Sequence, residues 1–114
     1  MLFDELSFHD AMILEVKEDA FNQSIDFLLE YPVDWEKNVF EKRILRFKNA
    51  VVYIKKEIPF TGYSTILEVK ILNSGMYNFE TSTGLLPASA YKVELITNSG
   101  SRIIEYSGNE FFAP

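Results

Sequence analysis

The chain lacks cysteine altogether and has a single histidine among its 114 residues. Without cysteine there can be no disulfide framework, thiolate zinc site, iron–sulfur cluster or cysteine nucleophile. A zinc site built from imidazoles is also poorly supported, because zinc sites rely on several histidine or cysteine ligands. The sequence contains no EF-hand loop, no glycine-rich phosphate loop and no G-x-S-x-G motif. We expect no catalytic residue, no metal and no cofactor, and these absences argue against an enzyme.

Long apolar runs are absent too, since no stretch approaches the roughly 18 residues of a membrane-spanning helix. The opening segment, MLFDELSFHD, carries acids but no base and leads into no apolar run, unlike a secretory signal. These features predict a soluble, cytoplasmic protein with no membrane partner. The length predicts one domain over residues 1–114, because domains most often contain about 100–150 residues.

The chain does contain short apolar runs with a period of two, which is the pattern of β-strands. These runs lie at residues 12–17, 25–31, 42–56, 67–71, 91–95 and 102–106. In the third run Asn49 and Ala50 break the alternation, which predicts one bulged strand or two short ones. In the same run Phe47 and Tyr53 share the parity of Val51, so all three are expected to face the core.

Turn residues separate the runs. Predicted turns lie at Asn73-Ser74-Gly75, at Gly84, at Pro87 and at Asn98-Ser99-Gly100, the last a hairpin in which glycine supplies positive φ. A short helix is predicted over residues 34–40 with Asp34 as its N-cap, and residues 4–8 could form one turn. Because parallel strands need long crossover connections, the strands are expected to be antiparallel. We predict a mainly β protein, or α+β with little helix, built as a single-domain antiparallel sandwich or curled sheet of about six to eight strands.

The formal net charge is −6, and it is unevenly distributed along the chain. Residues 1–41 hold 11 acids and two bases, whereas residues 42–56 hold six bases and no acid. One interpretation is cross-strand pairing, in which acids such as Asp26 and Glu30 face the bases of 42–56. The other is an exposed acidic patch that attracts a basic protein partner and speeds its association. The sequence leaves both interpretations open.

Six residues are candidates for binding a partner: His9, Asp10, Asp26, Glu30, Tyr31 and Trp35. Tyr31 and Trp35 flank a predicted turn, and these residue types are favoured where binding energy concentrates. The alternative for these two rings is packing under the loop. His9 with Asp10 offers a group that titrates near neutrality, as a general base requires. Adjacency alone does not make His9 and Asp10 a dyad, since neighbours on a strand point to opposite faces. The alternative is that His9 is a structural histidine near the N-terminus that bonds to the backbone.

The basic segment 42–56 interleaves lysine and arginine with Phe47 and Tyr53, as do sheets that stack nucleic-acid bases. The expected inward direction of both rings and the acidity of the whole chain argue against this use. We therefore do not expect a nucleic-acid partner.

The segment Phe8-His9-Asp10-Ala11, leading into Ile13 and Val16, resembles the start of several families of small bacterial β-rich proteins. Residues 45–51, LRFKNAV, resemble a later strand of these families with the pattern apolar-x-Phe-x-Asn-apolar. Some of the families are assigned as immunity proteins of bacterial toxin systems. The resemblance implies a β-rich, cytoplasmic, non-catalytic protein and carries over no catalytic residue. It agrees with the acidic charge, because immunity proteins that neutralise basic nucleases are often acidic.

Three functional hypotheses are consistent with these features. The leading one is a non-enzymatic module that binds a basic protein partner, with an immunity-like role. The second is a protein that binds a small molecule, or a minor enzyme, with a pocket between sheets. The third is a homo-oligomer formed through an exposed strand edge. Each makes a different demand on the structure: an exposed surface, a pocket or a free edge.

Overall fold

The computed structural model of the protein describes residues 2–59, 61–81 and 84–114, and over residues 74–90 it describes the backbone alone. A short helix, α1 (Leu2–Glu5), comes first. The eight strands of the described chain are β1 (Met12–Asp19), β2 (Ser24–Asp34), β3 (Val39–Lys48), β4 (Val52–Glu57), β5 (Ser64–Thr81), β6 (Gly84–Thr97), β7 (Gly100–Tyr106) and β8 (Gly108–Phe112). All neighbours pair antiparallel in the order β4-β7-β6-β5-β1-β2-β3-β8. The predicted β-rich, antiparallel, curled sheet is confirmed.

The sheet turns a corner where β3 leads into β4 and β7 leads into β8. The two connections are bonded to each other: the Val51 N–H donates to the Glu105 carbonyl over 2.9 Å, and the Ser107 N–H donates to the Lys48 carbonyl over 3.0 Å. Strands that change direction at such a corner can carry one half of a sheet over the other. One half of the sheet is β4-β7-β6-β5 and the other is β1-β2-β3-β8. The inner faces of these two halves therefore meet and enclose the core.

The core consists of inward side chains from both halves of the sheet, together with Phe8 and Ala11 from the segment before β1. Its buried apolar members are Phe8, Ala11, Ile13, Ile25, Phe27, Leu29, Leu45, Phe47, Ile66, Val93, Leu95, Ile104 and Tyr106. Phe27 joins the halves, because its ring lies 5.5 Å from that of Phe47 and 5.9 Å from that of Tyr53. In β2, β6 and β7 the alternate apolar residues are therefore the buried ones. Phe47 and Tyr53 face inward as expected.

Local irregularities shift that alternation elsewhere. Val51 is 55% exposed, so the expectation that it faces the core is wrong. The cause is Asn49, whose φ of 52° breaks the extended backbone before the corner. In β5 a register shift between Ile66 and Glu68 leaves Ile66 buried and Leu67 exposed.

The predicted helix over residues 34–40 is wrong. This segment is instead a hairpin turn between β2 and β3, which pair up to Asp34 and Val39. The Asp34 carboxylate accepts a hydrogen bond from the Lys37 N–H over 3.1 Å, so Asp34 caps a tight turn rather than a helix. With its flanks paired in the sheet, the intervening segment is too short for a helix.

The predicted turns at 73–75 and Pro87 are also wrong, because β5 and β6 form one long hairpin through these positions. A register shift between Ile71 and Asn73 accommodates the turn-forming residues within the ladder. Pro87 lies opposite Asn78, where β6 pairs with β5 and with no third strand of the described chain. Strand edges tolerate proline because its missing N–H is not needed there.

The other two predicted turns lie at ends of strands. Gly84 begins β6 and pairs with Thr81, so it belongs to the ladder and only borders the end of the long hairpin. The predicted hairpin at 98–100 is confirmed, with Gly100 at a φ of 150°.

Helix α1 covers one end of the core. It replaces the turn predicted at residues 4–8, and its Phe3 packs at 5.2 Å from Phe8 and 6.2 Å from Phe47. Among the described residues, no helix has the length and apolar character needed to cross a membrane.

Candidate protein-binding surface

Exposed apolar side chains cluster where the β2–β3 hairpin ends. Trp35 occupies the turn with 56% of its surface exposed, and its ring stacks on that of His9 at 5.8 Å and 30°. We call the following residues the Trp35 surface: His9, Val33, Trp35, Val39 and Phe40. The apolar four are each more than a third exposed. A large aromatic ring held in place while still open to solvent is typical of a residue that anchors a protein partner.

The segment that carries His9 is fixed to the sheet. The Tyr31 hydroxyl donates to the Ser7 carbonyl over 2.7 Å, and the Tyr31 ring packs against Phe8 and Phe111. Burial raises the pKa of Tyr31, which keeps this hydroxyl a donor at neutral pH. Tyr31 therefore holds the segment that carries His9 against the sheet.

His9 and Asp10 form a close pair. The His9 Nδ1 lies 3.3 Å from the Asp10 Oδ1, although sequence neighbours on a strand point apart. The expectation that they point apart fails because Asp10 has a φ of 69° and is not part of a strand. Within the described chain no group of three or more His, Asp or Glu side chains could hold a metal ion. The pair is half exposed and orients His9 against Trp35.

The surroundings of the Trp35 surface are acidic. Segments 2–10 and 30–43, which form this end, hold seven acids and three bases. The acids are Asp4, Glu5, Asp10, Glu30, Asp34, Glu36 and Glu41. One base, Arg43, is paired with Glu41 at 3.6 Å. An excess of negative charge around an exposed apolar patch favours a basic partner.

The two remaining candidates, Asp26 and Glu30, have different surroundings on β2. Asp26 binds Arg46 of β3 through two hydrogen bonds of 2.8 Å, and this pairing raises the pKa of Arg46. Glu30 lies opposite Lys42 in register but forms no ion pair within the described chain. Cross-strand pairing therefore accounts for Asp26, whereas Glu30 is an acid without an ion-pair partner among the described residues.

We expect Asp26→Asn to lower the free energy of unfolding by about 1 kcal/mol, because it weakens a bidentate, partly buried ion pair. The matched change Glu30→Gln on the same strand should alter it by less than about 0.5 kcal/mol. Urea unfolding of both variants measures the difference. Equal losses would contradict the assignment of Asp26 to pairing.

Sequence reasoning missed a buried ion pair between two neighbouring strands, β4 and β7. Arg102 of β7 and Glu57 of β4 lie 2.7 Å apart, with side chains only 6% and 3% exposed. Two hydrogen bonds join them, from Nε over 3.0 Å and from Nη2 over 2.7 Å. The parity of Arg102 with the buried residues Ile104 and Tyr106 is the signal that could have placed it inside.

Further hydrogen bonds complete this buried pair. The Thr97 hydroxyl donates to Glu57 over 2.7 Å, and the Arg102 guanidinium donates to the Tyr53 hydroxyl over 3.2 Å. Burial acts to raise the pKa of Glu57, but the bonds from Arg102 and Thr97 outweigh it, and the pKa lies below its ordinary value. Glu57 is thus held ionised and fully bonded. Such a carboxylate stabilises the fold and is poorly suited to accept a substrate proton.

No protein-family model matches the chain, and no curated protein resembles it closely enough to indicate a relative. The molecule is defined instead by its own features. It is a curled antiparallel sheet with a buried ion pair inside and, at one end, an aromatic surface among acids.

Proposed function

We propose that the protein is a non-enzymatic protein-binding module, and that it binds a basic partner through the Trp35 surface. The observation that carries this proposal is Trp35 itself, which is stacked on His9 while more than half of its surface remains exposed. Burying an exposed tryptophan against a partner gains apolar contact at little entropic cost when the ring is already oriented.

The charge of the surroundings supports the choice of a basic partner. Seven acids against three bases would steer a cationic protein toward this end of the molecule and repel an anionic one. Asp10 and Glu36 adjoin the two stacked rings in sequence. The partner is therefore expected to place lysine or arginine side chains around an apolar contact.

An immunity-like role is the specific form of this proposal. The resemblance of residues 8–11 and 45–51 to small bacterial proteins, some assigned as immunity proteins, supports it. In that role the partner is a basic nuclease toxin, and the acidic surface attracts the positive charge with which such an enzyme binds nucleic acid.

Replacement of Trp35 tests the proposal. The immobilised protein captures partners from an extract of its native source, and each is then titrated against purified variants. Trp35→Ala should weaken binding at least about 30-fold, the effect of losing a central anchoring residue. The matched control is Phe21→Ala, which removes a 95% exposed aromatic ring from the β1–β2 hairpin, outside the Trp35 surface. It should leave the affinity unchanged.

The role of charge is tested separately by salt. Raising the salt concentration should slow association of the partner with the wild type, because screening weakens steering between opposite charges. Failure to capture any partner would count against the proposal, as would equal affinity of the Trp35→Ala and wild-type proteins.

A further inference from the structure

The far part of the β5–β6 hairpin is a two-stranded arm. Strand β7 pairs with β6 only over residues 91–97, and β1 pairs with β5 only at Ser64 and Thr65. Residues 74–81 of β5 and 84–90 of β6 therefore pair within the hairpin and with no further strand of the described chain. We call these residues the β5–β6 arm. A two-stranded ladder is marginally stable by itself, so an added strand would stabilise the arm.

Alternate residues of β5 direct their backbone groups away from β6. Thr97 closes the hairpin to β7 with Gly100, and the Asn98 N–H donates to the Thr65 carbonyl of β5 over 3.1 Å. The even-numbered residues of β6 therefore direct both backbone groups to β5, because this direction alternates along an antiparallel strand. Within the arm their partners are the odd-numbered residues of β5, from 75 to 81. The intervening residues present N–H and C=O groups at an open edge: Ser74, Met76, Asn78 and Glu80.

The two edges of the arm differ in how they are protected. On the β6 side Pro87 is one of the outward residues, and it has no N–H to offer to another strand. On the β5 side residues 71–79 contain neither proline nor a charged residue. Edges that remain unpaired are usually protected by such residues. With one edge blocked and the other open, the arm can accept a strand on its β5 side alone.

The other open edges of the sheet are short or charged. The terminal strands, β4 and β8, have six and five residues. The part of β1 beyond Ile13 pairs with β2 alone, and it carries four charged residues: Glu15, Lys17, Glu18 and Asp19. Short length and charge both discourage pairing with another chain. Among the described strands, the β5 side of the arm is therefore the edge best suited to pairing.

The edge also selects its occupant. A strand that pairs with residues 71–79 should be uncharged and open along one side, because a charge placed there would meet no opposite charge. The same segment of a second copy meets both conditions. An antiparallel pair of identical strands has twofold symmetry, so both copies use the same surface and the contact closes at two chains. The outer edges of the joined arms are then the two β6 edges, where Pro87 opposes further growth.

We propose that the protein forms a homodimer in which the β5 edges of two arms pair antiparallel about Gly75. This centre aligns the uncharged segment 71–79 with itself and places Ser74 opposite Met76 of the other copy, so that outward residues pair. Glycine inside a strand often marks the close approach of another backbone. The two Glu80 residues lie ten positions apart along the joined strands, about 34 Å, which is several times the screening length of about 8 Å.

A single introduced cysteine tests the register, because the chain has no cysteine of its own. In the proposed pairing the two Gly75 residues face each other at a position without hydrogen bonds, where Cα atoms lie about 4.5 Å apart, within disulfide range. Gly75→Cys should therefore form a covalent dimer on mild oxidation. Tyr77→Cys should not do so alone, but it should crosslink to Asn73→Cys in an equal mixture, because residues 73 and 77 face each other. Non-reducing electrophoresis measures the covalent dimer.

Removing one backbone donor tests the edge itself. Met76→Pro deletes an outward N–H that the β5–β6 ladder does not use, and it should weaken dimerisation about 30-fold, since twofold symmetry removes two hydrogen bonds. Ser89→Pro is the matched control, because Ser89 lies opposite Met76 and faces outward on the β6 edge. This control should dimerise as the wild type does. Sedimentation equilibrium over a dilution series measures the dissociation constants, and circular dichroism verifies folding.

Several results would overturn the proposed dimer. They are a monomeric wild type at every concentration, equal crosslinking of Gly75→Cys and Tyr77→Cys alone, and equal weakening by the two proline variants. The dimer contact contains no residue of the Trp35 surface, so Trp35→Ala should dimerise normally. Loss of partner binding in a monomeric Trp35→Ala protein would reject the dimer and support the proposed function. Unchanged partner binding in a dimeric Trp35→Ala protein would do the reverse.

Discussion

Replacing Arg102 with methionine is expected to lower the free energy of unfolding by about 3–5 kcal/mol, because it leaves a buried carboxylate without its partner. The Glu57 side chain is 3% exposed and receives two of its hydrogen bonds from Arg102. The hydroxyls of Thr97 and Ser64 cannot replace them, since each supplies a single neutral donor, over 2.7 and 3.4 Å. The ammonium of Lys55 lies 3.9 Å away on a side chain that is 57% exposed. Equilibrium unfolding in urea at neutral pH measures the loss.

The same variant should respond to pH in the opposite direction from the wild type. In the wild type the pKa of Glu57 lies below its ordinary value, so this group contributes stability that is lost as the pH falls below about 4.5. Without Arg102, burial is the dominant effect and should raise the pKa above the ordinary value. The folded variant then takes up a proton more readily than the unfolded chain. The stability of this variant should therefore increase as the pH is lowered from about 7 to about 5.

Two controls separate buried charge from lost packing. The double variant Glu57→Gln with Arg102→Met leaves no unpaired charge and should recover about 2 kcal/mol of the loss. Arg46→Met breaks the more exposed pair with Asp26 and should cost about 1 kcal/mol or less. Two results together would contradict the assignment of Glu57 as a buried charge. They are equal stability of Arg102→Met and the double variant, and a stability of Arg102→Met that stays constant as the pH is lowered to about 5.

Alternation along the sequence was sufficient to predict most of the core. Ile25, Phe27 and Leu29 are buried on one face of β2, and Val93 and Leu95 follow the same rule in β6. The period of two is reliable in these strands because each runs straight through the centre of the sheet. The strand count and antiparallel class could be predicted from the same pattern and from the lack of helical segments.

Irregularities at single residues explain why the other inward and outward positions could not be predicted from alternation. One residue in a left-handed conformation, Asn49, interrupts the alternation locally, so that Val51 is exposed although Phe47 before it and Tyr53 after it both face inward. The sequence marked the break at Asn49 but not which neighbouring residue would turn outward. The ion pair between Glu57 and Arg102 was beyond sequence reasoning for a different reason. Its partners lie on strands far apart in the chain, and the ladder that unites them depends on the whole topology.

The candidate binding residues divide in the same way. Trp35 and Tyr31 could be proposed from residue type alone, because tryptophan and tyrosine beside a turn are common in contact surfaces. The stacking of His9 on Trp35 could not, since it requires the first loop to lie against the β2–β3 hairpin. Asp26 was predicted both as a partner-binding acid and as a cross-strand partner, and only the register with Arg46 distinguishes the two.

Replacing Gly100 with alanine should destabilise the protein by about 3 kcal/mol or more, through strain and steric overlap together. Gly100 begins β7 with a φ of 150°, a backbone conformation that residues with a side chain rarely adopt. A Cβ atom there would overlap the Lys56 carbonyl oxygen and lie 2.9 Å from the Glu57 Cα. Both neighbours are backbone atoms of β4, so neither can rotate away. Relief would require β4 to move from β7 at the residue pair Glu57 and Gly100.

Two other glycines separate these effects when each is replaced with alanine and unfolded in urea. Gly62 has a φ of 111°, and a Cβ added there would meet no atom within 4 Å, so Gly62→Ala reports strain alone, about 1–2 kcal/mol. Gly108→Ala meets only the flexible end of Lys48 at 3.4 Å and should be nearly neutral. The displacement of β4 would also loosen Glu57 from Arg102, so Gly100→Ala combined with Arg102→Met should cost less than the sum of the single changes. Additive losses, or a Gly100→Ala protein as stable as Gly62→Ala, would mean that the turn relaxes without moving β4.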